Sequence, residues 1–220
     1  QSLSGEGWSA TFKGWSRDPA TAEAIDGNAF ALVVRDLTAE ASAEMARRAE
    51  LQRHGAALRV INYFGDQRFG SARHGKGFAA KLLLRGDFEG ALKLMIATPA
   101  RKDAGKARAF TRLAAQKWGD WRTLAQELPR TPERKAIEVL ARGGDFKFAF
   151  ASLPYFLQSM SVEAYQSHLW NETALSMVKS LPTSGAGLLM TEGLFGQHAF
   201  VGAADVPPEW MTLEMPVLAR

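Results

Sequence analysis

Nine consecutive residues concentrate most of the chemistry this sequence could perform. Asn62-Tyr63-Phe64-Gly65-Asp66-Gln67-Arg68-Phe69-Gly70 packs three aromatics, an arginine, two amides and two glycines into one short segment. Aromatic rings stack on nucleobases, a guanidinium group binds phosphate through paired hydrogen bonds, and glycine lets a backbone approach a ligand closely. An aromatic turn closing on a core would use the same residue types, so composition leaves both readings open. A second dense segment runs from Val162 to Asn171. Helical spacing predicts that Val162, Tyr165 and Leu169 form its buried stripe. Gln166, Trp170 and Asn171 then fall on the flank, where polar groups meet a ligand or cap a core.

Other chemistries find less support. His54, His74, His168 and His198 are scattered without metal-ligand spacing, and no HExxH occurs, so no metal site is expected. Gly75-Lys76-Gly77-Phe78-Ala79-Ala80 matches a loosened dinucleotide fingerprint, but the fingerprint needs a strand directly before it. Arg68 to His74 is basic and glycine-containing, so a glycine-rich helix entry is the better reading. Neither a phosphate-binding Walker loop nor a GxSxG elbow is present, and no cofactor is expected. The sequence has no cysteine, which excludes disulfides, thiolate metal sites and a cysteine nucleophile.

Composition sets wider bounds. The chain has 220 residues, 46% hydrophobic and 23% charged, close to the average for a globular protein. No apolar run approaches the roughly eighteen residues of a membrane span. Gln1 stands where Met would, and no charged-then-apolar leader follows, so the expectation is a part of a longer, cytoplasmic polypeptide. Net charge is only +4, but its distribution is uneven. Between Arg59 and Lys117 stand thirteen basic side chains against four acidic ones. This middle third is the expected polyanion-facing part.

Several elements must position these residues. Phe30 to Asp36 is a short apolar run behind the turn residues Asp26, Gly27 and Asn28, and reads as a strand. Thr38 can cap a following helix that Gly55 ends, and Ala56 to Ile61 forms a second extended run. A strand, a helix and another extended segment suggest part of a sheet. From residue 75 to about 180 the pattern is helical, with Phe88, Ala91, Leu92, Met95 and Ile96 at the spacing of a buried stripe. Thr131-Pro132-Glu133 predicts a helix start. Gly86-Asp87-Phe88, Gly119-Asp120-Trp121 and Gly144-Asp145-Phe146 repeat one pattern: glycine closes a helix left-handed and aspartate caps the next. Beyond Leu181 the expectation is loops with one or two short strands.

Taken together, the two dense segments carry a family resemblance. Asn62 to Gly70 resembles the NYFGxQRFG motif of the TruD family of tRNA pseudouridine synthases, and Tyr165 to Asn171 resembles its YQSxLWN helix. Gly27-Asn28-Ala29-Phe30 is similar to the family's GNxF strand, and Leu84 to Glu89 resembles the RGDFE turn of its archaeal and eukaryotic branch. The four motifs stand in the family's order, and the resemblance covers roughly residues 14 to 180. It implies an α+β fold, with residues 1–66 forming part of the synthase's mixed catalytic sheet. Residues 67–220 would then be the mainly helical TRUD-type insertion domain. Asn28 and Phe30 match the positions that read the uracil edge and stack on the base. An amide suits uracil because it offers both a donor and an acceptor. One departure is serious. The family's nucleophilic aspartate sits in a G-x-K-D-x-x-A-x-T stretch upstream of GNxF, which these 220 residues lack. Lys102-Asp103 lacks the surrounding pattern, so no catalytic aspartate is assigned, and the chain alone is expected to be inactive.

The partner implied is RNA, most plausibly tRNA, and Asn62, Phe64, Arg68, Phe69, Arg73, Lys76 and Lys81 are the expected RNA-binding residues. Arg68, Arg73, Lys76 and Lys81 flank the aromatic motif, and their clustering suits a surface that tracks a phosphate backbone. Three classes of function stay in view: a TruD-like synthase, an RNA-binding module without the chemistry, and a helical interaction scaffold with incidental charge.

Overall fold

The computed structural model describes residues 2–215 except 20, 22–30, 32, 56, 59, 73–74, 101–102 and 184–186. Asn28, Phe30 and Arg73 therefore lie outside the described residues. The chain divides into two units, residues 1–44 and 45–220.

In the first unit, β1 (Ser2–Gly5) and β2 (Trp8–Thr11) pair antiparallel across a tight turn. Gly7 supplies the positive φ of 79° that this turn requires. The strand expected over Phe30 to Asp36 is not formed by its described residues: Ala31 and Val33 to Arg35 are irregular, and Val33 is 74% exposed. An apolar run becomes a strand only when a neighbour takes its backbone groups, and no described residue does so. Asp36 also takes the left-handed conformation at φ 57°, which breaks extension. The helix α1 (Ala39–Leu51) follows, capped as anticipated by Thr38, whose Oγ1 accepts the Ala41 N–H at 3.1 Å.

That helix stops at Leu51 and not at Gly55. Gly55, at φ 61°, instead turns the two-residue ladder of β3 (Arg53–His54) and β4 (Ala57–Leu58). The second extended run thus yields only a very short strand before the chain enters the Asn62–Gly70 segment. There, residues Asp66–Ala72 form a 3-10 turn kinked at Phe69.

The helical stretch is as the periodicity predicts. It comprises α2 (Ala79–Leu83), α3 (Phe88–Ile96), α4 (Gly105–Gln116), α5 (Trp121–Glu127), α6 (Arg134–Ala141), α7 (Phe146–Ala151) and α8 (Tyr155–Lys179). Helices α2 to α7 close on a common core in which Leu92, Leu124 and Ile137 are fully buried. Alanines at 91, 114, 136 and 149 let the helices approach. All three anticipated aspartate caps form. Asp87, Asp120 and Asp145 accept the N–H groups of Gly90 (2.7 Å), Thr123 (3.2 Å) and Phe148 (2.8 Å). The left-handed residue before the third cap is Gly143 (φ 84°), not Gly144. Thr131 is not the cap of α6: the helix begins at Arg134, and the Thr131 hydroxyl is buried without a partner among the described residues.

Helix α8 has 25 residues and is about 37 Å long at ~1.5 Å per residue. Its buried line differs from the expected one. Val162, Tyr165 and Leu169 are half-buried, while Ser161, Ala164, Ser167, Asn171, Ala174, Leu175 and Val178 face inward. The small inner residues make room for what packs there: the Asn62–Gly70 segment and a hairpin of β5 (Leu189–Gly193) and β6 (Gly196–Phe200). The inward serines satisfy themselves on the helix; Ser167 donates to the Glu163 carbonyl at 2.8 Å. With helices and three antiparallel two-stranded ladders among the described residues, the class is α+β.

Candidate nucleic-acid interface

The aromatic segment is stitched to α8 and the hairpin residue by residue. At its centre is Asn171, 5% exposed. Its Oδ1 accepts the Phe64 N–H at 2.9 Å and its Nδ2 donates to the Phe64 carbonyl at 2.9 Å. One amide thus supplies both bonds that a neighbouring strand would have supplied. The same Nδ2 lies 3.4 Å from His198 Nε2 on β6.

Tyr63 is tied to the hairpin. Its hydroxyl donates to the Ala199 carbonyl (3.1 Å) and accepts the Ala199 N–H (3.4 Å), and its ring lies 4.5 Å from that of His198. Burial pushes the phenol pKa up, only partly opposed by the Ala199 contact. Asp66 holds the hairpin turn by accepting the Leu194 N–H at 3.1 Å. Further along, Ser71 donates to the Met160 carbonyl at 3.0 Å.

Arg68 is oriented by α8. Its Nε donates to Ser167 Oγ at 3.1 Å, one Nη meets the Glu163 carboxylate at 3.1 Å, and the guanidinium stands 5.7 Å from the Phe64 ring centre. Phe64 itself meets Trp170 edge-on at 5.6 Å. With 42% of its side chain exposed, Arg68 keeps its other Nη without a protein partner among the described residues. It borders an open groove of about 440 Å3 lined by Gly65, Gln67, Arg68, Met160 and Glu163. A guanidinium fixed on one edge and open on the other is set to take a phosphate oxygen. Glu163 offsets part of that charge. Lys76 and Lys81 are exposed and have no carboxylate partner among the described residues.

The expected RNA-binding residues therefore part ways. Gln67, Phe64 and Arg68 come together at or beside one groove, with Gln67 missed by sequence reasoning. Asn62 is exposed and borders a second, apolar groove of about 300 Å3 with Val60, Ile61 and Trp170. Phe69 is only 2% exposed, packed against Phe78 and Phe195, and offers no ring face to a base. Its place is in the core because a kinked 3-10 turn directs that side chain inward. Glu163 and Ser167, which position Arg68, were also missed. The signal was present: Glu163, Ser167 and Asn171 recur at i, i+4 and i+8 and share one helix face.

His168 lies beside this region. Its ring stacks on Phe78 at 4.8 Å, and burial lowers its pKa, with Glu172 opposing and Lys81 reinforcing.

Two sequence motifs joined by the Asn171 side chain on the Phe64 backbone define one composite surface. The sequence model of the family described as tRNA pseudouridine synthase D (TruD) matches residues 7–183. The chain belongs to the TruD family. It is 36% identical over 170 residues to tRNA pseudouridine synthase D of Aquifex aeolicus, covering 76% of this chain and 42% of that protein. It is 29% identical over 160 residues to probable tRNA pseudouridine synthase D 1 of Methanococcus maripaludis, covering 70% and 40%. It is 32% identical over 165 residues to multisubstrate pseudouridine synthase 7 of Schizosaccharomyces pombe, covering 71% and 23%. The likeness thus extends to a bacterial protein as well as archaeal and eukaryotic ones. The chain spans about two fifths of the length of the first two relatives.

Proposed function

We propose that this chain is part of a TruD-type pseudouridine synthase that isomerises a uridine of structured RNA, tRNA above all, to pseudouridine. The observation that carries the reading is the Asn171–Phe64 clasp. It joins two of the family's motifs into one rigid surface bearing Arg68, with Lys76 and Lys81 close in sequence. Residues 1–66 belong to the catalytic domain and residues 67–220 to the TRUD-type insertion. Support for a separate insertion comes from α2 to α7, which close on a common core.

The reaction breaks the glycosidic C–N bond, turns the base and rejoins it through carbon. The uridine must first leave its stack and enter a pocket. In this reading Asn28 pairs with the uracil edge, Phe30 stacks on the ring, and the nucleophilic carboxylate comes from a G-x-K-D-x-x-A-x-T segment. Arg68, Lys76 and Lys81, joined by Arg73, hold the RNA backbone.

These 220 residues by themselves bind RNA and form no product, because stacking and edge recognition do not replace a nucleophile. Chemical mapping of pseudouridine on tRNA incubated with the chain is the test. No product is expected from the chain alone, and product is expected from a protein that also carries the aspartate segment. In that longer protein, Phe30→Ala should raise the barrier by about 1–3 kcal/mol, the worth of one stacked base. Asn28→Ala should cost roughly 0.5–1.5 kcal/mol. Robust product from the 220 residues alone would show that one of their own carboxylates is the nucleophile.

A further inference from the structure

Helix α4 carries charge in a way no other described helix does. Phe110, Thr111 and Ala114 turn inward, while Lys106, Arg108 and Arg112 are exposed, and the helix contains no acidic residue. Three basic side chains elsewhere are paired with carboxylates: Arg134 with Glu138 at 3.0 Å, Arg53 with Glu50 at 2.7 Å, and Lys117 with Glu127 at 2.6 Å. Lys106 and Arg112 have no carboxylate partner among the described residues. Arg108 is steadied through its Nε, which donates to the Asp103 carbonyl at 2.7 Å. Arg108 and Arg112 stand one turn apart on the same face. Between and beyond them the exposed residues are Ala109, Ala115 and Gln116, which are short or uncharged and leave the cations prominent.

We infer that the outer face of α4, carrying Arg108 and Arg112 with Lys106 on its flank, is a second RNA contact that grips the phosphate backbone of a base-paired stem. The inference rests on the RNA reading above and adds to it a surface outside the aromatic motif. A stem fits better than a single strand because the face has no aromatic side chain on which an unpaired base could stack. Contact with phosphates alone carries no sequence information, so this face acts alike on different RNAs. Charge complementarity favours RNA, and an acidic protein is the alternative to be tested.

The experiment is a fluorescence-anisotropy titration of the 220-residue chain with an unmodified tRNA transcript and with a plain RNA hairpin, at KCl from about 50 to 300 mM. Wild type is compared with Lys106→Ala/Arg108→Ala/Arg112→Ala and, separately, with Arg68→Ala/Lys76→Ala/Lys81→Ala. The α4 variant should lose affinity for both RNAs by about 10–100-fold near 100 mM salt, and its log–log salt slope should shrink by up to roughly 3, near one unit per lost phosphate. Arg108→Lys/Arg112→Lys should restore the slope, which a packing role would not predict. If the triple variant fails to fold, Arg112→Ala alone should still flatten the slope by about one unit. Unchanged slope and affinity in the α4 variant, with loss in the Arg68 set, would overturn this inference and leave the RNA reading standing. No tRNA binding by wild type would overturn both. Displacement of tRNA by polyglutamate at equal charge would assign the face to acidic proteins and overturn it too.

Discussion

Asn171 satisfies both backbone groups of Phe64 with one side chain, so its removal exposes two orphans at once. Asn171→Ala should lower stability by about 2–4 kcal/mol, since each unsatisfied buried group costs ~1–3 kcal/mol. Urea unfolding checks this, and a loss under about 0.5 kcal/mol would mean that the clasp does not organise the motif. Asn171→Asp should be nearly as damaging, because a carboxylate cannot donate to the Phe64 carbonyl. His168 gives a pH-dependent counterpart. Burial holds its pKa below the ordinary value of 6.5. Both states are then neutral above that value, and below it the unfolded chain binds the proton first. Stability should therefore fall as pH drops from 6.5 toward the folded-state pKa. Thermal melts of wild type and His168→Gln between about pH 8 and 5 would show it, with the variant's curve flatter over the acid limb.

Among the elements, the repeated Gly-Asp pattern was the most legible feature of the sequence. Capping needs only a short acceptor at the right place, so Asp87, Asp120 and Asp145 could be read without any tertiary knowledge. Each aspartate changed to alanine should cost about 1 kcal/mol, measurable by denaturant unfolding and separable because the caps sit on different helices. Gly143→Ala should also destabilise, since φ of 84° strains any side-chain-bearing residue. The stripe of α3 was legible in part: Ala91, Leu92 and Ile96 are buried as a 3.6-residue period predicts, while Phe88 and Met95 are half-buried and Leu94 is buried outside the expected set. The inner face of α8 was not. Its buried line is chosen by what docks there, and that partner comes from about a hundred residues earlier in the chain: Phe64 meets Asn171. Small and polar residues at 161, 167 and 171 gave no hydrophobic signal. The run at Val33 and Val34 failed for the converse reason, since a strand signal promises a strand only where a pairing edge is present.

Across the whole molecule, the candidate site was legible as a set of motifs and illegible as geometry. Composition could not tell that Phe69 is core while Arg68 borders a groove, because both readings use the same residue types. The family resemblance identified the two motifs, and the Asn171 side chain joins them by bonding both backbone groups of Phe64. Arg68→Ala should weaken tRNA binding and reduce its salt slope by about one unit, while Phe69→Ala should act through stability, at about 3–5 kcal/mol for a buried ring. The claim at the centre of this account is that the surface around residues 62–81 lies against RNA. Photo-cross-linking of a 4-thiouridine-substituted tRNA to the 220-residue chain, followed by peptide mass spectrometry, tests it most directly. The account predicts cross-links within residues 62–81 that vanish in excess unlabelled tRNA. Cross-links confined to other parts of the chain, or none from a protein that folds, would contradict it.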